Sequence, residues 1–168
     1  MKNLITSWKN SKLSPPGHAA LERFARRASQ LAGLPDFDWN FEIEFTGDDL
    51  MIRRNRELLG HEGTTDVITF PYFSGNEDDR LLENEVAVDA VVNLDAALRE
   101  GRKRKNSSYS REAALYIVHA LLHSAGLDDL TPEDRRKMRR RERAVMAKLA
   151  SEDLLPVFPE GSVLGNGR

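Results

Sequence analysis

Glu85-Val86-Ala87-Val88-Asp89-Ala90-Val91-Val92-Asn93 is the stretch on which the fold turns. It is apolar almost throughout and rich in β-branched residues, which marks a central strand with both faces covered rather than a half-wet edge. A helix from Leu94 to about Arg104 follows it. Upstream, Asn40-Phe41-Glu42-Ile43-Glu44-Phe45 alternates strictly and reads as a strand with one buried face. Thr65-Asp66-Val67-Ile68-Thr69-Phe70, closed by Pro71, reads as another. Strands that alternate with helices predict an α+β fold, a small mixed sheet of about four strands covered by about five helices.

The helices announce themselves by their ends. Ser14-Pro15-Pro16-Gly17 reads as a helix start with Ser14 as N-cap, and Ala20, Leu21, Phe24, Ala25, Ala28 and Leu31 continue it as an apolar stripe. Gly33 and Pro35 close it. A second helix runs from Thr46 to Leu58, capped by Thr46 or Asp48 and stopped at Gly60. A fourth runs from Ser110 to about Ala125. The last has Thr131 as N-cap, Pro132 at its first position and acids in its first turn, and ends near Ala150. The polar run Ser74 to Arg80 reads as an exposed loop. Residues 1–155 are expected to form one domain, and the Gly- and Pro-containing stretch 156–168 a flexible tail.

With 168 residues, 40% hydrophobic and 31% charged, the chain suits one well-buried domain. It has no cysteine, so disulfides and thiolate metal sites are excluded. No apolar run approaches the ~20 residues of a membrane span, and the N-terminus lacks a signal-peptide core. A cytoplasmic protein with no membrane partner is expected. The net charge of −2 hides an asymmetry: from Arg99 to Arg143 there are thirteen Lys and Arg against seven Asp and Glu. That half holds the chemistry, and a positive field there would favour a polyanion, although such runs are as often solvated helix faces.

The chemistry lies in His119-Ala-Leu-Leu-His123-Ser-Ala-Gly126-Leu-Asp128-Asp129. Residues four apart on a helix have Cβ atoms roughly 5–6 Å apart, so both imidazoles can reach one ion at the end of this central helix. Gly126 can reverse the chain and bring Asp128 or Asp129 round as third ligand. Two His and one carboxylate leave a fourth position open, as a catalytic zinc requires. A zinc peptidase of the His-Glu-x-x-His type needs Glu after the first His, and Ala120 stands there. The metal would act through its own water, or with Asp128 as a helper.

These motifs resemble the YbeY family of metal-dependent, single-strand-specific endoribonucleases that take part in rRNA maturation. His119-x3-His123-x2-Gly126, the acidic loop, and a following helix with Met138-Arg139 are similar to the family signature. Asn55 and Thr65-Asp66-Val67-Ile68-Thr69-Phe70-Pro71 resemble its second hallmark, and the segment around Asp89 a third, with Val88 in place of Gly. The resemblance runs from about Ile43 to Met146. Where the family's usual third histidine falls, this chain has Asp129, so the resemblance makes His119, His123 and Asp129 the ligands of one Zn²⁺, with Mn²⁺ as an alternative. Asp128 is the runner-up.

What the resemblance implies is hydrolysis of single-stranded RNA in small-subunit rRNA maturation and ribosome quality control, with RNA and the small ribosomal subunit as partners and no DNA. Asn55, Thr65 and Asp66 are the expected substrate contacts. The family's Arg ahead of the T-D-V strand aligns with Leu59, so Arg56, or Arg53 or Arg54, is expected to supply the charge and His61 to meet a phosphate. Lys103 to Lys105 and the basic runs of the last helix can track a backbone, and Phe70, Tyr72 and Phe73 can offer rings. The competing reading is a ribosome-assembly factor whose metal site is structural.

Overall fold

A computed structural model describes residues 1–10, 12–36, 38–71 and 86–160. Four strands, β1 (Asn3–Trp8), β2 (Asn40–Thr46), β3 (Val67–Pro71) and β4 (Val86–Asn93), form one sheet in the order β1-β2-β4-β3. β1, β2 and β4 run parallel, and β3 lies antiparallel to β4. β4 is thus interior, as its apolar run requires. Five helices accompany the sheet: α1 (His18–Ala32), α2 (Asp48–Leu59), α3 (Leu94–Lys103), α4 (Tyr109–Ser124) and α5 (Pro132–Ser151). The fold is α+β with a mixed sheet, as the alternation of elements predicts.

Register assigns the two faces. Phe41, Ile43 and Phe45 of β2 lie opposite Val88, Ala90 and Val92 of β4, and all six are buried in the main core with α1, α4 and α5. The outward partners behave differently. Ile68 and Val91 meet Met51 of α2 in a second, smaller core, with Phe70 packed against it. Asp89 is opposite Glu42 on this outer face, where burial and then the Glu42 and Glu44 charges push its carboxyl up.

Three local readings shift. β1 has no clear strand signature; only Leu4 of its six residues is buried, so its sequence carries little of the β2 pairing that makes it a strand. α1 starts at His18 with Gly17 as N-cap, not at Ser14, because Pro15 would have to be helical and a residue preceding proline, here Pro16, is disfavoured in that region. Thr46 ends β2, its hydroxyl bonded to the Val92 carbonyl, and Gly47 caps α2. Packing also continues past residue 155. Phe158 is buried against Phe45 and Tyr109, and its backbone N–H donates to Ser110 Oγ at 2.8 Å. Gly and Pro content alone conceals that one aromatic. The loop 74–80, Tyr72, Phe73 and residues 161–168 lie outside the described residues.

Asn93, at the end of β4, fixes the sheet's rim. Its Oδ1 caps α3 through the Asp95 and Ala96 N–H groups at 3.1 and 3.3 Å. Its Nδ2 is shared by Asp48 Oδ1 (2.8 Å), Thr64 Oγ1 (3.0 Å) and the Thr65 carbonyl (3.1 Å). Asp48 also pairs with Arg99 at 2.9 Å. Arg99, outweighing burial and joined by Asn93 and Thr64, holds the Asp48 carboxyl below the usual carboxylate range. One fully buried amide therefore ties the loop before β3 to α2 and α3.

Candidate metal centre

α4 ends in a built turn. Gly126 adopts φ +102°, a conformation that suits glycine, while its N–H bonds the His123 carbonyl and the Leu127 N–H bonds the Leu122 carbonyl. The chain reverses there and returns Asp129 to the helix end. His123 Nε2 lies 3.3 Å from Asp129 Oδ1, and His119 Nε2 lies 3.7 Å from Oδ2. Among the described residues these three form the one group of His, Asp or Glu whose ligand atoms all lie within 4.8 Å. The donor set is two imidazole nitrogens and a carboxylate oxygen, which fits a divalent transition metal and no soft-metal thiolate chemistry.

Asp128 takes a different place. Its Oδ1 accepts the Asp129 N–H at 2.8 Å, and its side chain is outside the ligand group. Arg135 donates to the Leu130 carbonyl at 3.1 Å, so the turn is held from both ends. A residue the sequence did not single out completes the centre: Glu142 of α5 meets His119 Nδ1 at 2.8 Å. That contact leaves Nε2 facing Asp129. Burial pulls the His119 pKa down, but the Glu142 hydrogen bond, followed by the Glu142, Asp129 and Asp66 charges, raises it overall. Glu142 had a sequence signal, since it occupies the same helical stripe as the buried Met138, Val145 and Leu149.

Two clefts flank the centre. One, of about 560 Å³, runs from His119 and Asp129 toward α3; the other, of about 260 Å³, lies beside β3 and Leu59. Thr65, Asp66, Val67, His119 and Asp129 border both. The structure therefore brings Thr65 and Asp66 to the centre. It places Asn55 elsewhere: buried in α2, its Nδ2 donating to the Gly63 carbonyl at 3.1 Å, it steadies the loop that carries Thr65 and borders neither cleft. Arg56 is exposed and paired with Glu62 at 3.3 Å, Arg54 is engaged by Glu44 at 2.9 Å, and His61 is exposed; none borders either cleft.

The cations at the larger cleft come instead from α3. Arg99 and Arg104 line it together with Asp66, Glu100, Glu112, Asp129 and Glu142. Carboxylates outnumber arginines there, so the positive half of the sequence does not translate into a positive site. In α5, Arg135 and Arg141 are spent on backbone carbonyls, of the acidic loop and of Leu31, and the other basic residues are spread round the helix. Phe70 packs in the smaller core.

The model of the family described as Endoribonuclease YbeY matches residues 9–150. This chain belongs to the YbeY family. The Endoribonuclease YbeY of Clostridioides difficile is 35% identical over 115 residues, 67% of this chain and 74% of that protein. The YbeY protein of Chlorobium phaeobacteroides is 37% identical over 132 residues, 78% of this chain and 87% of that one. The solution structure of TM1509 from Thermotoga maritima shares the fold, with a TM-score of 0.52 at 18% identity over 97% of this chain and 99% of that one. Like the YbeY relatives by name, the chain is an endoribonuclease by family. Among the described residues no helix is long and apolar enough to cross a membrane.

Proposed function

We propose that the chain is a metal-dependent endoribonuclease that hydrolyses phosphodiester bonds in single-stranded RNA, with one Zn²⁺ held by His119, His123 and Asp129. The observation that carries this is the ligand group itself, set between two clefts and still partly open: the three side chains keep 21%, 28% and 38% of their surface. A structural zinc is closed by four protein ligands, whereas a catalytic one keeps a position for water or substrate. The family membership supports small-subunit rRNA maturation and ribosome quality control, in the cytoplasm, as the setting.

A bound divalent ion supplies Lewis acidity to a phosphoryl oxygen and a more acidic water as nucleophile. The chain's own residues do the rest. Glu142 fixes the orientation of His119, and Asp128 fixes the backbone of Asp129. Thr65 and Asp66 border both clefts and so can position the strand on either side of the centre. Arg99 and Arg104 line the larger cleft, but each is already engaged, by Asp48 and by Glu100 and Glu112, so offsetting the charge that develops on the phosphate would fall to the ion. Arg56 and His61, at their observed positions, have no part in this scheme.

The test is metal analysis of the purified chain and a single-stranded RNA cleavage assay with and without chelator. One ion per chain, and cleavage abolished by chelator and restored by Zn²⁺ or Mn²⁺, is expected. Uncut RNA at full metal occupancy, with chelation melting the fold, would instead favour a structural site in an assembly factor. Glu142→Gln is expected to weaken zinc binding about tenfold, the lower end of what loss of a ligand's hydrogen-bond partner costs. A competition titration against a chelator of known affinity reads it, and an unchanged Kd would remove Glu142 from the centre.

A further inference from the structure

The larger cleft has an end that the metal centre does not explain. There, beyond His119, Leu115 and Tyr116 of α4 provide apolar wall, and Arg104, Glu100 and Glu112 provide charge. Glu112 is 3% exposed. Its Oε1 accepts from Ser107 Oγ at 2.8 Å and lies 3.6 Å from Arg104 Nη1, but Oε2 has no hydrogen-bond partner among the described residues. A buried acceptor without a partner is costly, and each instance calls for a cause. A carboxylate oxygen can be satisfied only by a donor.

The charge balance narrows the ligand. Arg104 already bridges Glu100 at 3.2 Å and Glu112, and Arg99 is paired with Asp48. This end of the cleft thus offers a phosphate no free cation and an adjacent carboxylate. A flat, neutral ring that carries an N–H donor suits the apolar wall and would supply the partner that Oε2, itself shut off from solvent, lacks. At about 560 Å³ the whole cleft falls within the roughly 300–1,000 Å³ of sites that take small organic groups.

We propose that this end of the cleft is a nucleobase subsite, in which Glu112 Oε2 accepts a hydrogen bond from an amino group of a base next to the cut. It rests on the RNA-cleavage reading above. Cytosine and uracil make the cleanest probe, because they match in shape and reverse one edge: cytosine has an amino donor at C4 beside a bare N3, uracil a carbonyl at C4 beside an N3–H. A carboxylate oxygen set against C4 welcomes the amino group and repels the carbonyl.

The experiment measures kcat/KM of the metal-loaded full chain on oligo(C) and oligo(U) of equal length. Oligo(C) is expected to be cut about tenfold more efficiently, the scale of one hydrogen bond to a charged acceptor. Glu112→Gln should bring the ratio within about twofold, since its amide can turn either a donor or an acceptor to the base. Competition by oligo(dC) and oligo(dU) separates base from sugar, and keeps the test alive if the variant does not fold. A preference that survives in the deoxy strands supports the base contact. One that vanishes there shows that the discrimination comes from the conformation of the ribose strand and not from a base contact, and overturns it. Equal wild-type rates, or a ratio unchanged in Glu112→Gln, also overturn it. If no RNA is cut at all, the cleavage reading fails and this subsite with it, whereas cutting without discrimination strikes the subsite alone.

Discussion

His119→Ala is expected to leave a folded chain that holds no zinc at micromolar ion concentration and cuts single-stranded RNA roughly a thousandfold more slowly, the equivalent of the several kcal/mol of charge stabilisation that a metal ion supplies. The reason is geometric. His119 is the one ligand gripped on both nitrogens, by Glu142 at Nδ1 and facing Asp129 at Nε2. Removing it leaves one imidazole and one carboxylate, too few for a tight site. The fold should persist because the ring is partly exposed and the core around Ile117, Val118, Leu121 and Leu122 does not depend on it. Metal content and initial cleavage rate on one preparation, with circular dichroism as control, decide it. Retained activity in a metal-free, folded variant would overturn the metal-dependent mechanism.

The second large effect concerns the scaffold. Gly101, on α3, approaches the N-terminal turn of α4 so closely that an added Cβ would overlap the Ser108 carbonyl carbon and the Tyr109 nitrogen, and would sit 2.7 Å from the Ser108 oxygen. These are backbone atoms, so no side chain can swing aside. Gly101→Val is expected to cost about 3 kcal/mol through overpacking, with little recovered from helix propensity. For a chain of this size that lowers Tm by roughly 10 °C. Thermal unfolding of the metal-free variant and parent reads it, and a shift within 1 °C would show that α3 and α4 can separate at no cost. The same junction carries Ser107, Ser108 and Glu112, so a loosened α3 should also disturb the cleft.

What could be read from the sequence was what is local in it. The two histidines and the acidic pair fall within one helix end and one turn, and a glycine marks the reversal, so the approach of one of the two acids follows from helix geometry, while the family resemblance singles out Asp129. β4 betrays its interior place because both its faces are covered. Arg56 and His61 were drawn toward the site by proximity along the chain. The rotation of α2 about its axis decides otherwise: Met51 and Asn55, four apart, turn to the protein, and Arg56 is carried to the outside. Glu142, Arg99 and Arg104 reach the centre or its cleft from elements that only tertiary packing brings near, and a single sequence gives no measure of that. Phe158 was hidden for the same reason, as one aromatic beyond the last helix whose pocket is assembled from β2 and α4.

The grip of Glu142 on His119 sets an order of assembly. Thr65, Asp66, His119, His123 and Asp129 are all synthesised before α5, yet the imidazole that joins them is steadied from a helix that ends at Ser151. A domain generally folds as a unit, once its elements have emerged. A nascent chain that stops short of α5 holds the three ligands without the contact that orients the first of them. Competence to take up metal firmly thus arrives last, when the C-terminal helix docks, and a truncated product is left without a well-formed centre.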